Sequence, residues 1–249
     1  MVGFFKEDLR RAVGNKGVFF SILFLTYILV RGIWLNTNFG NSVSTYEIIA
    51  NAMALSGFSP FAVVFPVMGY ATIFCGEYRS GYFRMISARM NWRVYGFLRM
   101  VTTGISGGII IAIPFSVVCG IGYFGGTPGM PANDLYEGTR MQYYLENYGD
   151  WYILIGKIIL GFLFGVLWSL IGMAFSVWTC NRYIALFGPF ILYELMWLFL
   201  YKIRFLNPIF LIRGDSLNSY PLSGLMEIIY IVITIVVIYF GLKRRMRYE

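Results

Sequence analysis

The chain has 249 residues, 58% of them hydrophobic and 13% charged, with a formal net charge of +8. Soluble domains carry roughly 45–50% apolar residues, so a water-soluble core of this size cannot absorb the excess. With no histidine, no Cys-x-x-Cys pair and no Gly-x-x-x-x-Gly-Lys-Ser/Thr loop, the composition argues against an intrinsic enzyme, a metal site or a nucleotide site.

In chain order, residues 1–16 come first. Phe5, Leu9, Ala12 and Val13 fall on one stripe of a helix whose other positions include Lys6, Arg10 and Arg11, the pattern of an amphipathic interfacial helix. A solvated basic lead-in is the plainer alternative. The apolar run that follows ends at Asn36-Thr37-Asn38 without a small-residue cleavage pattern, so it is expected to stay as the first span. Six runs are long enough to cross about 30 Å of hydrocarbon: 17–35, 53–76, 101–124, 151–178, 184–201 and 225–242. Inside lipid each must be a helix, because only that pairs every backbone group within the segment. The runs do not alternate apolar with polar residues, which argues against a barrel. The fold class expected is an all-α membrane protein of six transmembrane helices.

Lysine and arginine set the orientation. The amino-terminal segment, the second-to-third connection (Arg79, Arg84, Arg89, Arg93, Arg99), Arg182 and the tail (Lys243, Arg244, Arg245, Arg247) hold fourteen of the twenty basic residues. Both termini are therefore expected in the cytoplasm. The opposite side collects Glu47, Asp134, Glu137, Glu146, Asp150 and Asp215, and the fifth-to-sixth connection, with Lys202, Arg204 and Arg213, joins it by alternation alone. Charge divided among short loops suits an anionic leaflet and not a nucleic acid.

The connection 77–99 is the most specific stretch. Glu77 lies where it can accept from the free N–H groups of the segment that follows, and Gly81 permits a tight change of direction. Tyr82, Phe83, Ile86 and Met90 share one face at helical spacing, while Arg84 and Asn91 point away. Such a helix either docks in a partner's groove or lies on the lipid surface.

Ionisable residues within the spans each need an account. Glu194 falls about 16 Å into the fifth, near the midplane. It reads either as a cavity-lining substrate contact or partner for a basic residue, or as a structural glutamate between packed helices. Arg31 and Lys157, toward the outer ends of their helices, read as snorkelling side chains or as partners of Glu194 that would mark where helices one, four and five meet. Glu227, a few residues inside the sixth, reads as another snorkelling group. Pro66, Pro114 and Pro189 interrupt three spans, and Gly161-x-x-x-Gly165 with Gly104, Gly107 and Gly108 offers close helix approach.

The sequence from Glu77-Tyr-Arg-Ser-Gly81 through Tyr82-Phe-Arg-Met-Ile-Ser-Ala-Arg89 to Arg93-Val-Tyr-Gly-Phe-Leu-Arg99, between two spans, resembles the permease subunits of ABC-2 type transporters. The amphipathic start, six helices and basic tail extend the resemblance over the whole chain. The apolar outer stretch Phe205-Leu-Asn-Pro208-Ile-Phe-Leu-Ile212 is similar to that family's, whereas the connection 125–150 is longer than expected. The resemblance implies one permease domain, 1–249, with an elbow helix at 1–16, a cytoplasmic coupling segment at 77–99 and extracellular connections at 125–150 and 202–224. Glu77, Arg79, Gly81, Arg84, Arg89 and Arg93 would then couple to an ABC ATPase. Two copies of that ATPase would hold ATP and Mg, beside a second permease copy or homologue in the cell membrane. The cargo implied is a lipid, a hydrophobic drug or an amphipathic peptide such as an antimicrobial, the acidic outer loop inclining toward peptide. A non-transporting scaffold or sensor and, more remotely, an intramembrane enzyme are the readings from other classes.

Overall fold

A computed structural model describes residues 2–37, 43–87, 89–127, 140–200, 202–203, 205–213 and 219–247. Its helices, in chain order, are α1 (Val2–Val13), α2 (Lys16–Asn36), α3 (Thr45–Ala54), α4 (Phe58–Phe61), α5 (Val64–Tyr70), α6 (Ile73–Arg79) and α7 (Tyr82–Ser87). They continue with α8 (Trp92–Gly125), α9 (Arg140–Thr179), α10 (Arg182–Phe199), α11 (Pro208–Arg213) and α12 (Tyr220–Arg247). Among the described residues there is no strand, only an isolated bridge between Ser44 and Thr127. Six stretches are long and apolar enough to cross a membrane: Lys16–Leu35, Phe58–Arg79, Trp92–Gly125, Asn147–Thr179, Arg182–Phe199 and Tyr220–Met246. The protein is thus an all-α chain with six candidate spans, as the hydropathy pattern leads one to expect.

Five of these helices begin at a side chain that accepts from the amide two residues on. Asn15 takes Gly17, Ser44 takes Tyr46, Asn91 takes Arg93, Asn181 takes Tyr183 and Asn207 takes Ile209. These are ordinary N-caps, each satisfying a donor that the helix leaves orphaned.

Three spans form the centre. The second, third and fourth are mostly buried, whereas a third or less of the first, fifth and sixth is covered. The third and fourth meet along glycines: a Cβ at Gly165 would collide with the backbone of Gly107, one at Gly107 with Ser169, one at Gly108 with Phe162 and one at Gly161 with Phe115. Both small-residue patterns of the sequence are therefore spent against each other inside one chain, letting α8 and α9 approach closely. Beside this seam lies an aromatic core in which Trp168 and Tyr193 stack edge to face at 5.4 Å and Phe58 meets Phe115 at 5.6 Å.

The structure also departs from expectation. The second span is three helices, not one, and α8 and α10 run unbroken through Pro114 and Pro189. The connection 125–150 is not all loop: residues 140–148 are helical and turn into the fourth span at Gly149, whose φ of 72° only glycine adopts readily. Residues 128–139, with Asp134, Tyr136 and Glu137, lie outside the described residues, as do Tyr201, Arg204 and Asp215. The apolar stretch 205–212 includes most of α11, whose Pro208, Ile209, Leu211 and Ile212 are buried.

One end of the bundle gathers α1, the α6–α7 corner, the α9–α10 junction and the tail. A Cβ at Gly76 would strike the Arg182 guanidinium. Arg245 donates to the carbonyls of Val177 at 3.0 Å and Trp178 at 2.6 Å, a cation on the carboxyl end of α9, and lies over the Tyr78 ring.

Candidate functional site

At that end α1 carries Asp8, α6 carries Glu77 and α8 carries Arg99. Asp8 and Arg99 are buried, and the guanidinium pairs with both carboxylates, Nη1 with Asp8 and Nη2 with Glu77. Tyr70 donates to Asp8 at 2.6 Å, Thr102 to the other Asp8 oxygen at 2.7 Å, and Tyr95 to Glu77 at 2.5 Å. The Arg99 guanidinium also lies over the rings of Tyr70 and Tyr95, 5.1 and 5.7 Å from their centroids. Every oxygen of the two carboxylates is used, which is the condition under which buried charges are tolerable.

Residues this far apart in sequence meet because their helices present them at matching levels. Tyr95, Arg99 and Thr102 follow one another at i, i+4 and i+7 on one face of α8. On α1, Asp8 and Ala12 are the buried positions, Phe4 meets Tyr95 at 6.1 Å and the Ser106 hydroxyl points to the Ala12 carbonyl. The stripe expected on α1 is therefore rotated: Val13 is exposed and a carboxylate sits at its centre. Arg99, counted from sequence among the loop charges, is inside the bundle. Glu77 accepts from Arg99 and Tyr95, not from the amides of the segment it precedes.

Just above this network the second span is loosened. The Asn15 side chain donates to the Gly69 carbonyl at 2.7 Å, a group that would take the amide four residues on in a continuous helix. On α6, the Cys75 amide has contacts to the Thr72 carbonyl and to the Ser176 hydroxyl, both at 3.2 Å. Side chains entering a helical ladder are a recognised cause of its breaking, and here they come from the α1–α2 junction and from α9. The piece α6, with Glu77, is thereby set off from α5.

Beyond α6 the chain turns at Gly81, φ 75°, as the sequence leads one to expect, and forms α7. The α7 face expected to meet a partner's groove or the lipid surface is turned inward. Phe83 is fully buried and packs on Phe74 at 5.5 Å and Tyr95 at 5.6 Å, with Ile86 and Met90 against the same cluster. What α7 and the turn after it present outward is Arg84, Met85 at 60% exposure, and Arg89. Arg79 and Arg93 are also exposed, Arg93 lying over the Trp92 ring at 5.6 Å.

The intramembrane charges are not brought together. Glu194 lies on α10, the least covered span, along a cleft of about 640 Å³ with Phe190, Ile191 and Leu198. Its Oε1 is buried without a hydrogen-bond partner among the described residues. Arg31 is exposed on α2 and Lys157 is buried, and the ion pairs among the described residues join neither to Glu194. Lys157 does not snorkel: α11 folds over α9, and the ammonium donates to the Arg213 carbonyl and lies 5.6 Å from the Tyr220 ring centre. Glu227 does not snorkel either, being completely buried with neither carboxylate oxygen hydrogen-bonded among the described residues.

Asp8, Tyr70, Tyr95, Arg99 and Thr102 escaped the sequence reading. Their signal was an acidic residue four positions before Ala12 on the buried face of α1, and a Tyr-x-x-x-Arg-x-x-Thr spacing at the start of an apolar run. The described residues contain no cluster of metal-ligand type. No protein-family model, no curated protein and no solved structure matches this chain.

Proposed function

We propose that the chain is the membrane-spanning permease subunit of an ABC-2 type transporter, driven by ATP hydrolysed in a separate ATPase. The observation that carries this reading is the Asp8–Arg99–Glu77 network. It ties an amphipathic amino-terminal helix, the detached last part of the second span and the start of the third into one block, beside a short helix with an exposed cationic and apolar surface. A push on α7 would be passed by Phe83 and Glu77 into α6 and α8, with the break between α5 and α6 absorbing the movement. Arg84, Met85 and Arg89 form the docking surface, and Gly81 sets the corner.

Sidedness follows the basic residues: the end holding α1, α7 and the tail faces the cytoplasm of the cell membrane, and the 125–150 connection lies outside. ATP and Mg belong to two copies of the partner ATPase, and a second permease copy or homologue completes the path. The cargo is hydrophobic or amphipathic, a peptide such as an antimicrobial being the preferred class. A scaffold or sensor that docks a cytoplasmic partner through the same surface is the competing reading.

Affinity purification of the tagged chain in mild detergent separates the two. The transporter reading expects a protein with a Walker loop to co-elute, and Arg84→Glu with Arg89→Glu to release it while the chain stays monodisperse. Retained binding and full coupling after both reversals would refute the docking surface. A partner without nucleotide-binding motifs would favour the scaffold.

A further inference from the structure

At the opposite end of the bundle, α9 and α12 run side by side and leave a groove of about 490 Å³ between them. Two glycines create it. Gly156 lets the Tyr220 ring lie flat against the backbone, where a Cβ would stand 3.1 Å from it, and a Cβ at Gly224 would meet nothing nearer than Leu163 at 3.7 Å. The mouth is tyrosine. Tyr152 stacks with Tyr148 at 5.1 Å, meets Tyr144 at 5.1 Å and approaches Tyr220 at 6.0 Å. Below these rings the walls are apolar, ending at Leu163 on α9 and Ile228 on α12.

The dimensions select the occupant. From Tyr220 to Ile228 is eight residues, about 12 Å of helix, and from Tyr152 to Leu163 eleven residues, about 16 Å. Half of a 30 Å hydrocarbon core is about 15 Å, so the groove is one leaflet deep, with its aromatic mouth at the level where tyrosine is favoured. Ile155, Ile159, Leu160, Leu163, Leu225 and Ile228 make the lining apolar along this whole length, so the occupant must be apolar over one leaflet. We infer that the groove between α9 and α12 holds one acyl chain of a phospholipid from the adjoining leaflet, its headgroup set among Tyr144, Tyr148 and Tyr152. The inference does not depend on the transporter reading. Burying an acyl chain brings no hydrophobic gain when the lipid comes from the bilayer, so selectivity rests on shape and on hydrogen bonds from the tyrosines to the headgroup. A roughly tenfold enrichment over bulk positions corresponds to about 1.4 kcal/mol, which two such bonds supply.

The experiment uses the full chain in nanodiscs of phosphatidylcholine and phosphatidylglycerol doped with a phospholipid that carries a mid-chain diazirine. After irradiation, adducts are mapped by peptide mass spectrometry. Adducts around Leu163 and residues 224–228 are expected roughly tenfold above those at Leu23 on α2 or Val236 on α12, both exposed apolar positions. Gly224→Leu fills the groove and should reduce the signal to that background, while Val236→Leu leaves it unchanged. Ile228→Trp obstructs the lower end by a second route should Gly224→Leu fail to fold. Even labelling of all lipid-facing positions would overturn the inference. Displacement of the lipid by a hydrophobic peptide would also overturn it, reassigning the groove to cargo.

Discussion

Replacing Arg99 with methionine should damage the protein more than neutralising either of the two carboxylates it pairs with. The substitution keeps an unbranched stem but removes the guanidinium, leaving Asp8 buried and Glu77 nearly so, each without its cation. Breaking a buried pair by removing one partner costs about 3–5 kcal/mol, because the remaining charge is uncompensated. At about 2–4 °C per kcal/mol for a chain of this size, the apparent unfolding midpoint in detergent should fall by roughly 6–20 °C. Asp8→Asn is milder, since Arg99 and Glu77 still neutralise one another and only charge-assisted hydrogen bonds weaken, about 1.5–3 kcal/mol. The triple variant Asp8→Asn, Glu77→Gln, Arg99→Met removes all the charges together and should recover most of the loss. The assay is a thermal melt of the purified chain followed by an intrinsic fluorescence or thiol probe. An Arg99→Met protein as stable as the wild type, or an Asp8→Asn protein as damaged as Arg99→Met, would refute the view that one guanidinium holds two carboxylates inside the bundle.

Gly81→Ala forces a side chain into a left-handed conformation costing about 1–2 kcal/mol, and its melt should drop while Gly81→Asn loses less. Phe83→Ala empties a fully buried aromatic site, for about 3–5 kcal/mol, whereas Met85→Ala on the exposed face stays within about 0.5 kcal/mol; equal stability losses would contradict the inward orientation of α7. Asn15→Leu releases the Gly69 carbonyl to the helix, so hydrogen exchange across residues 71–75 should slow, and unchanged exchange would count against the inserted side chain as the cause of the break. Glu227→Met replaces a buried carboxyl without partners among the described residues and should raise the melting midpoint; a lower midpoint would show that the carboxyl is held by an interaction.

The six spans were legible in the sequence, because each apolar run is near the length a bilayer demands. The Gly81 corner was legible too, since a glycine between two helical patterns announces a turn. What the sequence could not show is pairing across distance. Asp8 and Arg99 each look like surface charges beside an apolar segment, and only the packing of α1 against α8 makes them partners. The face of α7 was read correctly as apolar but left to a partner's groove or the lipid surface, when the chain's own Phe74 and Tyr95 fill that need. Lys157 looked free to reach the headgroups because nothing in the pattern announces that α11 folds back over α9.

The most direct test of the coupling account is a photo-reactive amino acid at Met85, irradiated in membranes of the native host. The account predicts one discrete protein adduct, carrying a Walker loop, that disappears with Arg84→Glu and Arg89→Glu. Adducts with lipid alone, or labelling of the same position by a membrane-impermeant reagent applied outside intact cells, would contradict it.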